Sequence, residues 1–179
     1  MFYSTKYLSP VGEYMIVSDG ENIIGMWMVG QKYFAKNIKE DIVERVELPI
    51  FTVVKNWLDR YFIGEKPAIF ELPLVPKGSE FQQNVWDILC KISYGEVTTY
   101  GAIARNIASL YGKSRMSAQA VGGAVGHNPI SVIIPCHRVV GYDGSLTGYA
   151  GGIDVKLKLL EHEGVDTSTL SISIPKKTI

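Results

Sequence analysis

Cysteine is scarce in this chain: two among 179 residues, Cys90 and Cys136. That is too few for a disulfide framework, so each is judged as a thiol, and a reducing, cytoplasmic compartment is expected. No apolar run approaches the roughly 20 residues needed to cross a bilayer. No basic start followed by an apolar stretch marks the N-terminus for export, so an unexported protein without a membrane partner is expected. Excess charge is also missing: eighteen Lys and Arg balance eighteen Asp and Glu, which argues against coating nucleic acid by bulk electrostatics. Metal-ligand spacing is absent too. Cys90, Cys136, His127, His137 and His162 show neither CxxC nor HxxxH spacing, and zinc would compete for a nucleophilic thiol, so no essential metal is expected.

One local absence is more informative. From Val97 to Tyr142 there is no Asp or Glu, while Arg105, Lys113, Arg115 and Arg138 fall in that stretch. A basic face would produce this pattern, and so would chance clustering in a sparsely charged chain. With 46% hydrophobic and 20% charged residues, the composition is that of a folded globular protein, long enough for one generous domain or two small ones.

Strand signals fill the first part of the chain. Glu13 to Ser18 and Asn22 to Val29 are apolar and β-branched around the turn Ser18-Asp19-Gly20-Glu21, which reads as a hairpin. Pro49, Ile50, Val53, Val54, Trp57, Leu58 and Tyr61 have helical spacing up to Gly64. Residues 1–75 are therefore expected to be an α/β structural domain, a small antiparallel sheet with a helix. Pro67, Pro73, Pro76 and Gly78 mark the crossing to a second, mainly α domain over 76–165. There Ser79 caps an amphipathic helix running toward Gly95, and Cys90 beside its apolar stripe reads as inert. Thr98 or Thr99 caps a helix carrying Ile103, Ala104 and Ile107, and Ser117 opens another containing Gly122-Gly123. Two helices about a short glycine-containing loop suggest a helix-turn-helix. The glycine pair costs about 1 kcal/mol per residue relative to Ala. Close packing inside the protein and close approach to a DNA groove both explain it.

Chemistry concentrates further on. Ser131 to Ile134 is a continuous apolar run suited to a buried strand, stopped by Pro135, which places Cys136 at a strand exit. A thiol near its reference pKa of about 8.5 needs a base. His137 is adjacent, but neighbouring side chains in extended chain point apart, so a bridging water is expected between them. Asp154 caps a last helix closed by Gly164, and Glu163 in its final turn is opposed by the helix dipole. That glutamate either orients a base or lies idle on the surface. Asn128-Pro129 forms a turn ahead of the cysteine. The later glycines, Gly141 to Gly152, lack the lysine and spacing of a phosphate loop, so no nucleotide cofactor is expected. The tail 166–179 receives no role.

Taken together, Gly95-Glu96-Val97-Thr98-Thr99-Tyr100, Ala120-Val121-Gly122-Gly123-Ala124, Asn128-Pro129, Ile134-Pro135-Cys136-His137-Arg138-Val139 and His162-Glu163-Gly164 resemble the O6-alkylguanine-DNA alkyltransferases, over about ninety residues in order. The resemblance implies that Cys136 accepts the alkyl group, His137 is its base through a water, Glu163 orients His137 and Asn128 braces the turn. It implies that Tyr100 polarises or protonates the departing guanine, and that Val139, Gly148, Tyr149 and Ala150 line the base pocket. Thr99, Tyr100, Arg115, Ala118, Gln119, Ala120 and Gly122 would contact DNA, with the helix from Ser117 to Val125 in the minor groove. The implied partner is duplex DNA containing alkylated guanine, bound by a monomer. One departure stands out: family members commonly carry arginine where this chain has Gln119. Two other readings compete, a cysteine hydrolase using Cys136, His137 and Glu163, and a lesion-sensing DNA-binding protein. The first leaves the glycine-rich helix unexplained, and the second has no need of Cys136.

Overall fold

A computed structural model describes residues 1–36 and 38–172. The chain opens with β1 (Phe2–Ser9), β2 (Gly12–Ser18) and β3 (Ile23–Met28), followed by the short β4 (Ile42–Glu44). The sheet order is β3-β2-β1-β4. The expected hairpin is β2 with β3, registered from Tyr14 opposite Met28 to Ser18 opposite Ile23 with a bulge at Val17 and Ser18. Two features were not expected. β1 pairs antiparallel with β2 as a third strand, and β4 adds a parallel edge, which makes the sheet mixed.

Helix α1 (Pro49–Phe62) starts on its proline and buries Ile50, Phe51, Val54, Trp57, Leu58 and Tyr61, the stripe read from the spacing. Burying such a stripe, about 25 cal/mol per Å² of apolar surface, is what holds a helix of this length. Next come α2 (Glu80–Leu89), β5 (Thr98–Thr99), α3 (Tyr100–Leu110) and α4 (Ala118–Gly126). Their caps fall where the sequence puts them: Ser79 Oγ accepts from Gln82 N, Thr99 Oγ1 from Ala102 N and Ser117 Oγ from Ala120 N. α2 stops at Leu89, with Cys90 as its C-cap, and turns rather than helix continue to Gly95. Cys90 is half-buried, and burial pushes its thiol up to about 11, which suits an unreactive sulfur.

The run Ser131 to Ile134 is a correction. It is a turn, not a strand: Val132 has φ +70°, and Ile133 N donates to Ser131 O at 2.9 Å. Its apolar side chains are buried because the turn itself is buried, and burial without length leaves strand and turn indistinguishable in sequence. A single 3-10 turn, Cys136–Arg138, follows and leads into β6 (Val139–Val140), which pairs parallel with β5. The described residues end with β7 (Ser145–Leu146), α5 (Ile153–His162) and β8 (Ser171–Ile172). Gly152, at φ +96°, caps α5, and Asp154 lies in its first turn rather than at the cap. Part of the tail that the sequence leaves without a role is paired, Ser145 with Ser171 and Leu146 with Ile172. Residues 173–179 lie outside the described residues.

One hydrophobic core joins the halves: Tyr14, Ile16, Phe51 and Leu58 from the first share it with Val85, Trp86, Val121 and Leu159 from the second. Among the described residues no helix is long and apolar enough to cross a membrane.

Candidate active site

The site grows out of the two turns on either side of Pro135. Asn128 is buried, and its Oδ1 accepts from Ile130 N at 3.0 Å. Its Nδ2 donates to Ile134 O at 2.8 Å and to Cys136 Sγ at 3.1 Å. The asparagine thus ties both ends of the Ile130–Ile134 turn together and holds the sulfur as well. Cys136 is buried, and burial raises its thiol above the ordinary value, only partly offset by the Asn128 hydrogen bond and the charge of Lys156. At rest the group is a neutral thiol, and a nearby base is required to make it a nucleophile.

His137, the residue that follows, is fully buried. Nε2 lies 2.6 Å from Glu163 Oε1, which fixes the proton on Nε2 and leaves Nδ1 with its lone pair; Nδ1 has no protein partner among the described residues. Burial pulls His137 below the ordinary imidazole range, although Glu163 opposes this. Burial thus favours the neutral imidazole as it favours the neutral thiol.

Glu163 is no surface glutamate. It is 5% exposed and receives Arg138 Nε at 2.8 Å on Oε2, Arg138 Nη2 at 3.0 Å on Oε1, Tyr61 Oη at 2.7 Å on Oε1 and Gly95 N at 3.2 Å on Oε2, besides His137. Burial pushes its carboxyl up, yet the hydrogen bonds and charges of His137 and Arg138 outweigh this and hold it well below the usual carboxylate range. Five donors therefore stabilise a carboxylate at a helix end that disfavours one.

Tyr100 and the later loop form the adjoining wall. Tyr100 Oη donates to Thr147 O at 3.0 Å. Lys156 Nζ donates to Val139 O at 2.5 Å and Thr147 O at 3.1 Å. A buried lysine reaching two carbonyls was missed from sequence; the available signal was its position on α5 between Val155 and Leu159. Burial pulls it down to about 8. Gly122, Gly148, Tyr149 and Ala150 line one cavity of about 210 Å³, together with Lys32 and Tyr33 from the first half. Val139, also expected to line the base pocket, is fully buried in β6 and is not among the lining residues of this cavity.

Tyr14 and Tyr61, both from the half read as purely structural, also reach this region. Burial and the neighbouring thiol push the Tyr14 hydroxyl up, and burial with Glu163 does the same to Tyr61. Periodicity marks both only as core.

The outer face carries the remaining expected residues. Ala118, Gln119 and Ala120 are exposed on α4, Arg115 is exposed just before it, and half-buried Thr99 is committed to capping α3. A methyl group built on Gly123 or Gly126 would meet nothing within 4 Å, and on Gly122 only the Tyr100 ring at 3.7 Å. Internal packing therefore does not demand these glycines.

Known proteins bear directly on this arrangement. The model of the 6-O-methylguanine DNA methyltransferase DNA-binding domain matches residues 80–165, and that of the same family's ribonuclease-like domain matches residues 2–76. A methylated-DNA–protein-cysteine methyltransferase of Haemophilus influenzae is 45% identical over 163 residues, covering 91% of this chain and 87% of that one. One from Methanosarcina acetivorans is 41% identical over 165 residues, covering 92% and 99%. The crystal structure of Mycobacterium tuberculosis O6-methylguanine methyltransferase superposes with a TM-score of 0.76 at 38% identity, covering 91% of this chain and 93% of that one. The M. tuberculosis OGT in complex with DNA does so at 0.75 and 36%, covering 94% of each. With both domain models matched in order and relatives this close along nearly the whole length, the chain belongs to the 6-O-methylguanine DNA methyltransferase family.

Proposed function

We propose that this methyltransferase repairs duplex DNA by moving a methyl or larger alkyl group from O6 of guanine onto Cys136, once per molecule. The observation that carries the assignment is the sulfur itself, held at 3.1 Å by Asn128 and followed directly by a buried histidine bound to a buried carboxylate. His137 takes the thiol proton on Nδ1 through a bridging water, and Glu163 stabilises the resulting imidazolium. The thiolate attacks the alkyl carbon, the new S–C bond forms as the C–O6 bond breaks, and the electron pair leaves with the guanine. Tyr100 polarises or protonates that leaving base. The thioether is a poor leaving group and nothing among the described residues regenerates the thiol.

An alkyl carbon inside a stacked duplex is out of reach, so the nucleotide must be rotated out at a cost of a few kcal/mol. The open, small-residue face of α4, with Ala118, Gln119, Ala120 and Gly122, enters the minor groove and offsets that cost, while Arg115 and Thr99 contact the backbone. Val139 and Gly148 to Ala150 receive the extruded base. In this reading residues 1–75 and 76–165 are the two domains, the protein acts as a monomer in the cytoplasm, and no metal or cofactor takes part. A hydrolase would instead acylate Cys136 transiently and turn over, and a lesion sensor would leave it unmodified.

Intact-mass measurement after mixing with duplex carrying O6-methylguanine decides among them. Gain of one methyl group per chain, abolished in Cys136→Ala, is expected. An unchanged mass under reducing conditions would refute the assignment.

A further inference from the structure

The hydrogen bond from Tyr61 to Glu163 joins residues 102 positions apart, and it is buried. Tyr61 lies on α1, in the half of the chain that carries none of the residues assigned above. Its hydroxyl reaches Oε1, the oxygen that also takes His137 Nε2 at 2.6 Å and Arg138 Nη2 at 3.0 Å. The tyrosine ring is held from several sides. Trp57 stacks on it at 5.8 Å, and Phe62, Tyr94 and His162 pack against it at 5.0, 5.9 and 5.1 Å. Its backbone is pinned as well: His162 Nε2 and Tyr61 O are 2.8 Å apart. The C-terminal ends of α1 and α5 are therefore fastened by two hydrogen bonds, one on Glu163 and one on its neighbour His162, and the tyrosine hydroxyl has little freedom to point elsewhere.

We propose that Tyr61 is a positioning residue of the alkyl-transfer reaction, with the N-terminal half completing the relay by fixing Glu163 against His137. The inference rests on the reading that His137 and Glu163 serve Cys136. The effect runs through Oε1. A carboxylate oxygen shared with a tyrosine donor has less negative charge to offer an imidazolium. Taking the donor away frees the carboxylate to rotate and makes it more basic. His137 is then worse aimed but more readily protonated. The ionisable groups facing this point are Glu163, Arg138, His137, Tyr94 and His162, with Lys156 of α5 acting on His137 and Tyr149 lying near Tyr61, and Tyr61→Phe removes none of them.

The test is single-turnover transfer from duplex carrying O6-methylguanine at saturating protein, across about pH 5 to 9. Rate and final yield are read separately for the wild-type chain, Tyr61→Phe, Glu163→Gln and Val54→Ala. Val54 is fully buried on the same helix and serves as the packing control. For Tyr61→Phe the expected result is full yield, a rate about tenfold lower, and an acid limb displaced upward by about half a pH unit. Val54→Ala should lose stability while keeping rate and limb. Wild-type rate and limb in Tyr61→Phe, with Glu163→Gln impaired, would overturn this inference alone. Glu163→Gln with a wild-type profile would overturn the relay and the inference together. A reduced yield in Tyr61→Phe at unchanged rate and limb, or the same limb shift in Val54→Ala, would reduce Tyr61 to fold support and overturn the proposal.

Discussion

The amide nitrogen of Asn128 stands 3.1 Å from the sulfur of Cys136 and 2.8 Å from the carbonyl of Ile134, so one side chain sets both the turn and the nucleophile. Asn128→Ala leaves the buried Ile130 amide and Ile134 carbonyl without these partners, a loss of about 1–3 kcal/mol. For a chain of this size that is a fall in melting temperature of roughly 2–4 °C per kcal/mol. Methyl transfer should slow at least about tenfold as well, because the thiolate loses its donor. Thermal unfolding alongside single-turnover rates tests this. A variant that melts early yet transfers at the wild-type rate would show that Asn128 serves the turn and not the sulfur.

His137 is held below the ordinary imidazole range by burial, so the rate should stay level through about pH 6.5 and fall only in more acidic solution. Stability follows the same sign. A group whose folded pKa is depressed contributes stability that is complete above its unfolded value and lost as pH falls toward the folded one. The His137 contribution therefore begins to decline below about pH 6.5, and that of Glu163, also depressed, below about pH 4.3. On the alkaline side Lys156, held near pH 8 by burial, loses its charge and with it part of the offset it gives the Cys136 thiolate. A transfer rate that ignores His137 titration would reject the water-relay role.

Gly123 should show opposite signs in two assays. Alanine there meets nothing within 4 Å and removes a mid-helix glycine, so Gly123→Ala should raise stability by up to about 1 kcal/mol. The added methyl projects from the face assigned to the groove and should weaken binding to duplex DNA. Equal DNA affinity in a stabilised variant would mean that α4 does not approach the groove as closely as supposed.

Gln119 is exposed near the start of α4. Gln119→Arg adds a charge and a longer wedge at this point, so duplex affinity should rise, and its salt slope should steepen by about 0.9 if the guanidinium neutralises one phosphate. Titrations at several salt concentrations, with repair rates beside them, measure both. Unchanged affinity and rate would dismiss any role for the substitution.

Local rules carried much of this structure. Ser79, Thr99 and Ser117 cap the helices that their spacing announces, and Pro49 starts α1, because a cap is satisfied within three residues of itself. Cys136, His137, Glu163 and Asn128 come together at one site, as the motifs imply. What escaped depends on distance or on burial without direction. Ser131 to Ile134 is as apolar as a strand, and only the positive φ at Val132 distinguishes it. Tyr61 and Tyr14 are positioned by partners far away in sequence, so periodicity reduces them to core. Lys156 reads as a helix cation until its carbonyl partners, Val139 and Thr147, are seen.

The short pairing of Ser145–Leu146 with Ser171–Ile172 has a reach beyond its own length. Thr147, whose carbonyl accepts from Tyr100 and Lys156, directly follows the first of these strands. The wall of the proposed guanine pocket is thus a belt buckled at one end by α5 and at the other by two residues far downstream. Trimming the protein ahead of Ser171 would unbuckle it, and in the proposed reaction the extruded base would then be gripped less firmly.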